Sequence, residues 1–228
     1  MLRNKLKSLT ILLLLVFILK LSSCVEYTAK FYLNLDGSGV LNVVYLVNKS
    51  LLATVVKQRM MTHQFPLTPE GIKKYYERKK GVKLLKIDFK DVSKDTERVH
   101  IIVAFDNIKY LNDEQTEYSW DLEGGRYVLR IKIKGYGHAS RNNPIIEKAI
   151  KEAMGKYYIT YEVHMPRKVV ETNADEIDWN TVTWKISLYD MTHLSRTKVL
   201  YAEVPAKWYE VLWWMLKKLW RKIVSIFS

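Results

Sequence analysis

The run from Tyr27 to Val47 constrains the fold more than any other stretch. Tyr27, Ala29, Phe31, Leu33 and Leu35 alternate with Glu26, Thr28, Lys30 and Asn34. A period of two means an extended strand with one buried face. Asp36-Gly37-Ser38-Gly39 then interrupts, and Val40 to Val47 resumes an apolar strand through Val44 and Tyr45. Asp-Gly between two such runs predicts a hairpin, because glycine supplies the positive φ that the turn requires. The same four residues do not read as a phosphate-binding loop, which needs a helix N-terminus directly after it. Here a strand follows.

The rest of the chain repeats this grammar. Asn48 or Ser50 can cap a helix over Leu51 to Met61, with Leu51, Leu52, Val55, Val56 and Met60 on the side that would pack on a sheet. Thr68-Pro69-Glu70 opens a second helix, with a cap, a proline at the first helical position and an acid in the first turn; it runs through Tyr75 and Tyr76 and stops at Gly81. Strands are expected over Val82 to Val92 and Arg98 to Asn107, and a further hairpin over Glu117 to Leu122 and Tyr127 to Lys134 turns at Gly124-Gly125. In its second arm Tyr127, Leu129, Ile131 and Ile133 alternate with Val128, Arg130, Lys132 and Lys134, apolar against basic. Asn143-Pro144 starts an amphipathic helix carrying Ile145, Ile146, Ala149, Ile150 and Met154 and ending at Gly155. Strands return over Tyr157 to Met165, Lys168 to Thr172, Thr181 to Tyr189 and Thr197 to Val204. Strands in adjacent hairpins, with helices between groups, predict an α+β fold: an antiparallel sheet of hairpin-paired strands, helices packed on one face, and a C-terminal amphipathic helix.

The chain begins with a basic start (Arg3, Lys5, Lys7) and an apolar run from Ile11 to Leu19, and ends that segment at Leu21-Ser22-Ser23-Cys24. This is the pattern of a secretory signal, too short to cross a bilayer that needs about 20 apolar residues. Cys24 is the one cysteine of the chain, so it cannot staple an exported fold by a disulfide. Of the net charge of +13, four cations (Arg3, Lys5, Lys7, Lys20) lie in the leader, which has no acid, so +9 remains on residues 24–228. A strong basic excess in the cytoplasm would point to nucleic acid. An exported chain instead meets anionic headgroups, where each basic residue near the surface is worth about 1 kcal/mol.

Leu21-Ser22-Ser23-Cys24 resembles the lipobox of bacterial prolipoproteins. The resemblance implies a diacylglyceryl group on the Cys24 thiol and cleavage just before it. The alternative is an ordinary signal peptide, or an uncleaved anchor, followed by an incidental cysteine. The first strand with Asp36-Gly37-Ser38-Gly39 and the late run Asn173...Asn180-Thr181-Val182-Thr183-Trp184-Lys185-Ile186...Leu200-Tyr201-Ala202 resemble the LppM-like domain of bacterial envelope lipoproteins. Members commonly place a Pro-Gly pair where this chain has Pro166-Arg167. The resemblance implies an extracytoplasmic α+β domain associated with lipid binding at the cell envelope, and it brings no catalytic residues. The division expected is a signal peptide over 1–23, the domain over 24–205 and a terminal helix over 206–228.

That helix is the second informative stretch. At 100° per residue, Lys207, Glu210, Lys217, Lys218, Arg221, Lys222 and Ser225 share one side, while Trp208, Tyr209, Leu212, Trp213, Leu216, Leu219, Trp220, Ile223 and Phe227 share the other. Trp214 falls among the cations. Four cations in its middle disfavour a transmembrane span, each costing about 2.5–3.5 kcal/mol at the bilayer centre. Lysine and arginine opposite tryptophan describe a helix in the plane of the interface. Two alternatives stand: a helix covering the domain's own sheet, and a surface for a protein partner.

Five histidines (His63, His100, His138, His164, His193) are scattered without metal-ligand spacing, and no HExxH, paired CxxC or Gly-x-Ser-x-Gly occurs. Tyr136-Gly137-His138-Ala139-Ser140 places a base near a hydroxyl in one loop, and Asp175-Glu176...Asp178 clusters carboxylates without the spacing of a calcium loop. No catalytic residue, cofactor or metal is expected, and no nucleic-acid partner. The expected function is that of a lipid-anchored envelope lipoprotein on the extracytoplasmic face of the cell membrane. It would be a non-catalytic lipid-binding or membrane-apposed module that meets membrane lipid through acylated Cys24 and anionic phospholipid through the helix. The alternative is a structural or assembly lipoprotein whose apolar helix face binds an envelope protein. Fixed at both ends, the domain is expected to sit close against the leaflet.

Overall fold

A computed structural model describes residues 27–49, 68–134, 157–193 and 197–227, together with residues 148, 151, 152 and 155. The leader with Leu21, Ser22, Ser23 and Cys24, the helix expected over Leu51 to Met61 and the loop around His138 lie outside the described residues. Of the helix expected after Asn143-Pro144, Lys148, Lys151 and Glu152 are described and are helical.

The first hairpin forms as its alternation predicts. β1 (Tyr27–Leu33) pairs antiparallel with β2 (Gly39–Asn48), and Gly37 in the turn has φ 83°. α1 (Pro69–Glu77) starts at Thr68, whose hydroxyl accepts the Gly71 N–H at 3.1 Å. Ile72 and Tyr76, one turn apart, are its buried residues. Gly81 then turns the chain at φ 73°, against the Tyr110 ring. β3 (Val82–Asp91) and β4 (Thr96–Phe105) form the next hairpin, and β4 pairs with β2. A single 3-10 turn (Ile108–Leu111) leads to the hairpin of β5 (Thr116–Glu123) and β6 (Arg126–Ile133), turning at Gly124-Gly125 with both φ positive.

β7 (Tyr158–His164) enters beside β1 and runs parallel to it, Tyr27 opposite Ile159 and Tyr32 opposite His164. β8 (Glu171–Thr172), β9 (Glu176–Asp178), β10 (Thr181–Ser187), α2 (Leu188–His193), β11 (Lys198–Pro205) and α3 (Trp208–Phe227) complete the chain. Ser187 ends β10 by capping α2: its hydroxyl accepts the Asp190 N–H at 3.0 Å.

Two sheets result, where one was expected. The large sheet has the order β3-β4-β2-β1-β7-β10-β9, and the small one β5-β6-β11-β8. They share one core. Phe31, Val43, Val103, Val163 and Trp184 of the large sheet are buried with Leu129, Ile131, Leu200 and Ala202 of the small one, and the Phe31 and Tyr118 rings meet across them at 5.6 Å. The fold is thus mostly β, with three described α-helices. The expected arrangement of helices along one face is not what the described residues show. Alternation marks each strand's buried face, and that mark is the same whether helices or a second sheet cover it. The parallel β1–β7 pair departs from the all-antiparallel expectation for a related reason. Hairpin signals order neighbours in sequence, whereas β7 follows β1 by more than a hundred residues and is free in direction.

The stretch from Met165 to Asn180 forms a strap across one flank, where β9 ends the large sheet and β8 ends the small one. Asn173 fastens it. Its Oδ1 accepts the Trp184 indole N–H and the Tyr201 backbone N–H, both at 2.9 Å, and its Nδ2 donates to the Val199 carbonyl at 2.8 Å. Trp184 is 2% exposed, so its N–H needs a protein partner. One amide therefore ties both sheets together.

Candidate functional site

α3 leaves the small sheet at Pro205. The Ala206 N–H bonds to the Gly125 carbonyl at 3.0 Å, and the Lys207 N–H bonds to Glu210 Oε2 at 2.8 Å, a carboxylate capping the first turn. Arg167, on the strap, grips the same carboxylate with both arms, at 2.6 and 2.9 Å, and donates to the Pro205 carbonyl at 2.7 Å. Such a fork-to-fork pair fixes direction as well as position. The hydrogen bond from Arg167 holds the Glu210 carboxyl below the usual range, and Glu210 in turn raises the Arg167 guanidinium.

Past this root, the described apolar side chains of the helix are open to solvent. Trp208, Trp213 and Trp220 are 76%, 61% and 67% exposed, and Leu212, Leu216 and Leu219 are exposed as well. Lys217 holds its ammonium 5.5 Å from the centre of the Trp213 ring. Lys218, Arg221, Lys222, Ile223 and Phe227 continue the helix, and their side chains lie outside the described ones. A helix covering its own sheet would bury Leu212, Leu216 and Leu219, and these side chains are exposed. No described helix is long and apolar enough to cross a membrane. The arrangement is an amphipathic helix of 20 residues, about 30 Å long, held at its root and with its described apolar side chains exposed.

The remaining polar candidates do not converge. His100 bonds Asn42 at 2.9 Å on β4, whereas His164 sits on β7 between Glu162 at 2.8 Å and Thr181 at 3.0 Å, stacked on Tyr32. The Asp175 carboxylate accepts the Lys185 N–H at 2.7 Å and Glu176 pairs with the Lys185 ammonium at 2.6 Å, so the acidic cluster serves the strap. Among the described residues no group of three metal-ligating side chains comes together.

Two features escaped sequence reasoning. Nothing local in the sequence links Arg167 to Glu210, 43 residues further on. Tyr27, Tyr45, Tyr76, Tyr118 and Tyr161 gather at the start of β1. Burial, followed by the neighbouring phenols, raises Tyr27 and Tyr118 well above the ordinary tyrosine value. They stay neutral. Alternation put Tyr27 on an apolar strand face, but nothing in the sequence gathers the five.

No protein-family model matches the chain, and no curated protein does. Among solved structures, the chain is similar to the NMR structure of the folded domain of the Mycobacterium tuberculosis LppM protein, with a TM-score of 0.43 and 14% identity over 81% of this chain and 91% of that one. Nothing about the working of that protein transfers at this level of likeness.

Proposed function

We propose that this protein is a membrane-anchored envelope lipoprotein, a non-catalytic module held to one bilayer by an acylated Cys24 and by α3 lying in the interface. The observation that carries the reading is α3 itself, with its tryptophans and leucines open to solvent beside a cationic side. Indole rings favour the headgroup depth because their apolar body is buried while the N–H stays hydrated. Six described apolar side chains at that depth, each worth about 1 kcal/mol when half of it leaves water, supply about 6 kcal/mol before the cost of association. The acyl chains on Cys24 tether one end of the domain, and α3 would add a second, independent attachment at the other. The lysines add attraction for anionic headgroups.

The test is membrane retention in cells of the full chain, of Cys24→Ser carried behind a signal that is cleaved without acylation, of the triple variant Trp213→Ser/Leu216→Ser/Trp220→Ser, and of the two combined. Each single change is expected to leave protein in the membrane fraction, with the combination releasing it. Release by Cys24→Ser alone would remove α3 from the account. Retention of the combined variant would hand α3 and the domain to a protein partner in the envelope, the assembly reading.

A further inference from the structure

We infer that the domain lies on the bilayer by its strap flank, with the strand axis in the membrane plane and Val170, Ile177 and Trp179 against the lipid. The inference rests on the reading that Cys24 and α3 engage the same bilayer. It begins with the parallel pair. β1 starts at Tyr27, three residues after Cys24, and β7 runs beside it in the same direction, so Arg167, just past the end of β7, lies at the opposite pole. The root of α3 is at that pole too, held by Arg167 and by the Gly125 carbonyl at the β5–β6 turn. The Trp120 indole N–H, on β5, bonds to the Leu35 carbonyl at 3.0 Å, so that turn and the β1–β2 turn share an end.

The two attachments are therefore separated by the length of β1, seven residues or about 20 Å. The three peptide units from Cys24 to Tyr27 span at most about 10 Å. α3 does not fold back along the body, since Leu212, Leu216 and Leu219 are exposed. A domain standing on either pole would hold one attachment out of reach. Both reach one leaflet only when the strands lie along it.

The flank that turns down is the one continuous with α3. Arg167 belongs to the strap, and two residues on the Val169 N–H bonds to the Trp179 carbonyl at 3.0 Å, which places the Trp179 turn beside the helix root. Val170, Ile177 and Trp179 are exposed there, Trp179 by 63%. Trp179 also has φ 47°, and is the one described non-glycine residue with positive φ. A bulky side chain rarely takes this conformation without an external reason. An indole held outward at a turn is suited to the headgroup layer. Within the strap Arg167 and Lys168 stand against Glu171, Asp175, Glu176 and Asp178, 2 − 4 = −2; Arg126 of β6 is shared by Glu171 and Glu203, and Lys185 of β10 pairs with Glu176. The strap's contact is accordingly the apolar one of Val170, Ile177 and Trp179, while the cations of α3 supply the attraction to anionic lipid. The opposite edge of the large sheet, β3, also exposes Leu85 and Val92, but no described contact ties it to α3.

The experiment uses the full acylated chain on phosphatidylcholine–phosphatidylglycerol vesicles containing a headgroup spin-labelled lipid. Trp179→Cys, Leu85→Cys and Trp213→Cys are each labelled with an environment-sensitive fluorophore, and the parent, whose cysteine is capped, sets the blank. The expected result is a blue shift and loss of most emission at positions 213 and 179, with position 85 unchanged. Quenching at 213 with none at 179 overturns the flank orientation and leaves the two-anchor reading standing. Quenching at 85 instead of 179 puts the wrong edge down and overturns it equally. No quenching at 213 removes the two-anchor reading together with this inference.

Discussion

Truncating Asn173 to alanine tests whether one amide ties the two sheets. The change removes three hydrogen bonds and leaves the Trp184 indole N–H, in a side chain 2% exposed, without its partner. A buried donor left unpaired costs about 1–3 kcal/mol, and each lost backbone contact about 0.5–1 kcal/mol. The expected loss is about 3 kcal/mol, which at a urea slope of about 2 kcal/mol/M moves the midpoint down by about 1.5 M. Urea unfolding followed by far-ultraviolet circular dichroism measures it. Trp184→Phe supplies the second arm of a cycle by deleting the N–H while keeping a ring. In that background Asn173→Ala should cost about 1–2 kcal/mol less, the share belonging to the indole bond. A midpoint shift under about 0.3 M, or the same cost in both backgrounds, refutes the tie.

Two glycine turns separate steric from backbone cost. Gly81→Ala places a Cβ 2.5 Å from Tyr110 Cδ2 at φ 73°, whereas Gly124→Ala at φ 56° meets nothing within 4 Å. The first should lose about 2 kcal/mol or more and the second about 1 kcal/mol in the same urea assay; equal losses contradict the packing at Gly81. The Arg167–Glu210 grip should loosen in acid. The Glu210 carboxyl is held below its unfolded value, so its contribution is present above about pH 4.3 and is lost as pH falls through the lowered folded value. A fluorophore at position 213 should lose anisotropy over that acidic range, and Glu210→Gln should show low anisotropy at every pH. A transition that persists in Glu210→Gln assigns it to another group. Trp213→Ser/Leu216→Ser/Trp220→Ser should unfold within about 0.5 kcal/mol of the parent, because these side chains are exposed; a larger loss means that α3 supports the core.

The strands were legible because their spacing records a buried face. The alternation from Tyr27 to Leu35 forms β1 to within two residues and that from Tyr127 to Lys134 forms β6 to within one. The Thr68-Pro69 start of α1 and the turns at Asp36-Gly37 and Gly124-Gly125 were equally readable, since cap and turn chemistry is local. What alternation does not encode is the partner. Nothing in Tyr158 to His164 records that it runs parallel to β1, and nothing in Tyr118 records that it meets Phe31 from a second sheet. The strap defeated the reading for another reason. Lys168 to Thr172 was expected to form one strand, but the Val169 N–H goes to Trp179 and the Val170 N–H to Glu203, so the segment divides its bonds between the two sheets and only Glu171–Thr172 remains extended in a ladder. At α3, the periodicity identified the apolar side, and the structure adds that this side is open.

Binding to vesicles decides whether α3 is a lipid-interface helix. The chain from residue 25 onward, which lacks both the leader and the acylated cysteine, is titrated with vesicles of phosphatidylcholine alone and with increasing phosphatidylglycerol. The predicted result is partitioning that strengthens with anionic lipid, weakens with salt, and falls at least about 100-fold, or about 3 kcal/mol, in Trp213→Ser/Leu216→Ser/Trp220→Ser. Binding of the triple variant equal to that of the parent, or no binding by either on anionic vesicles, contradicts it.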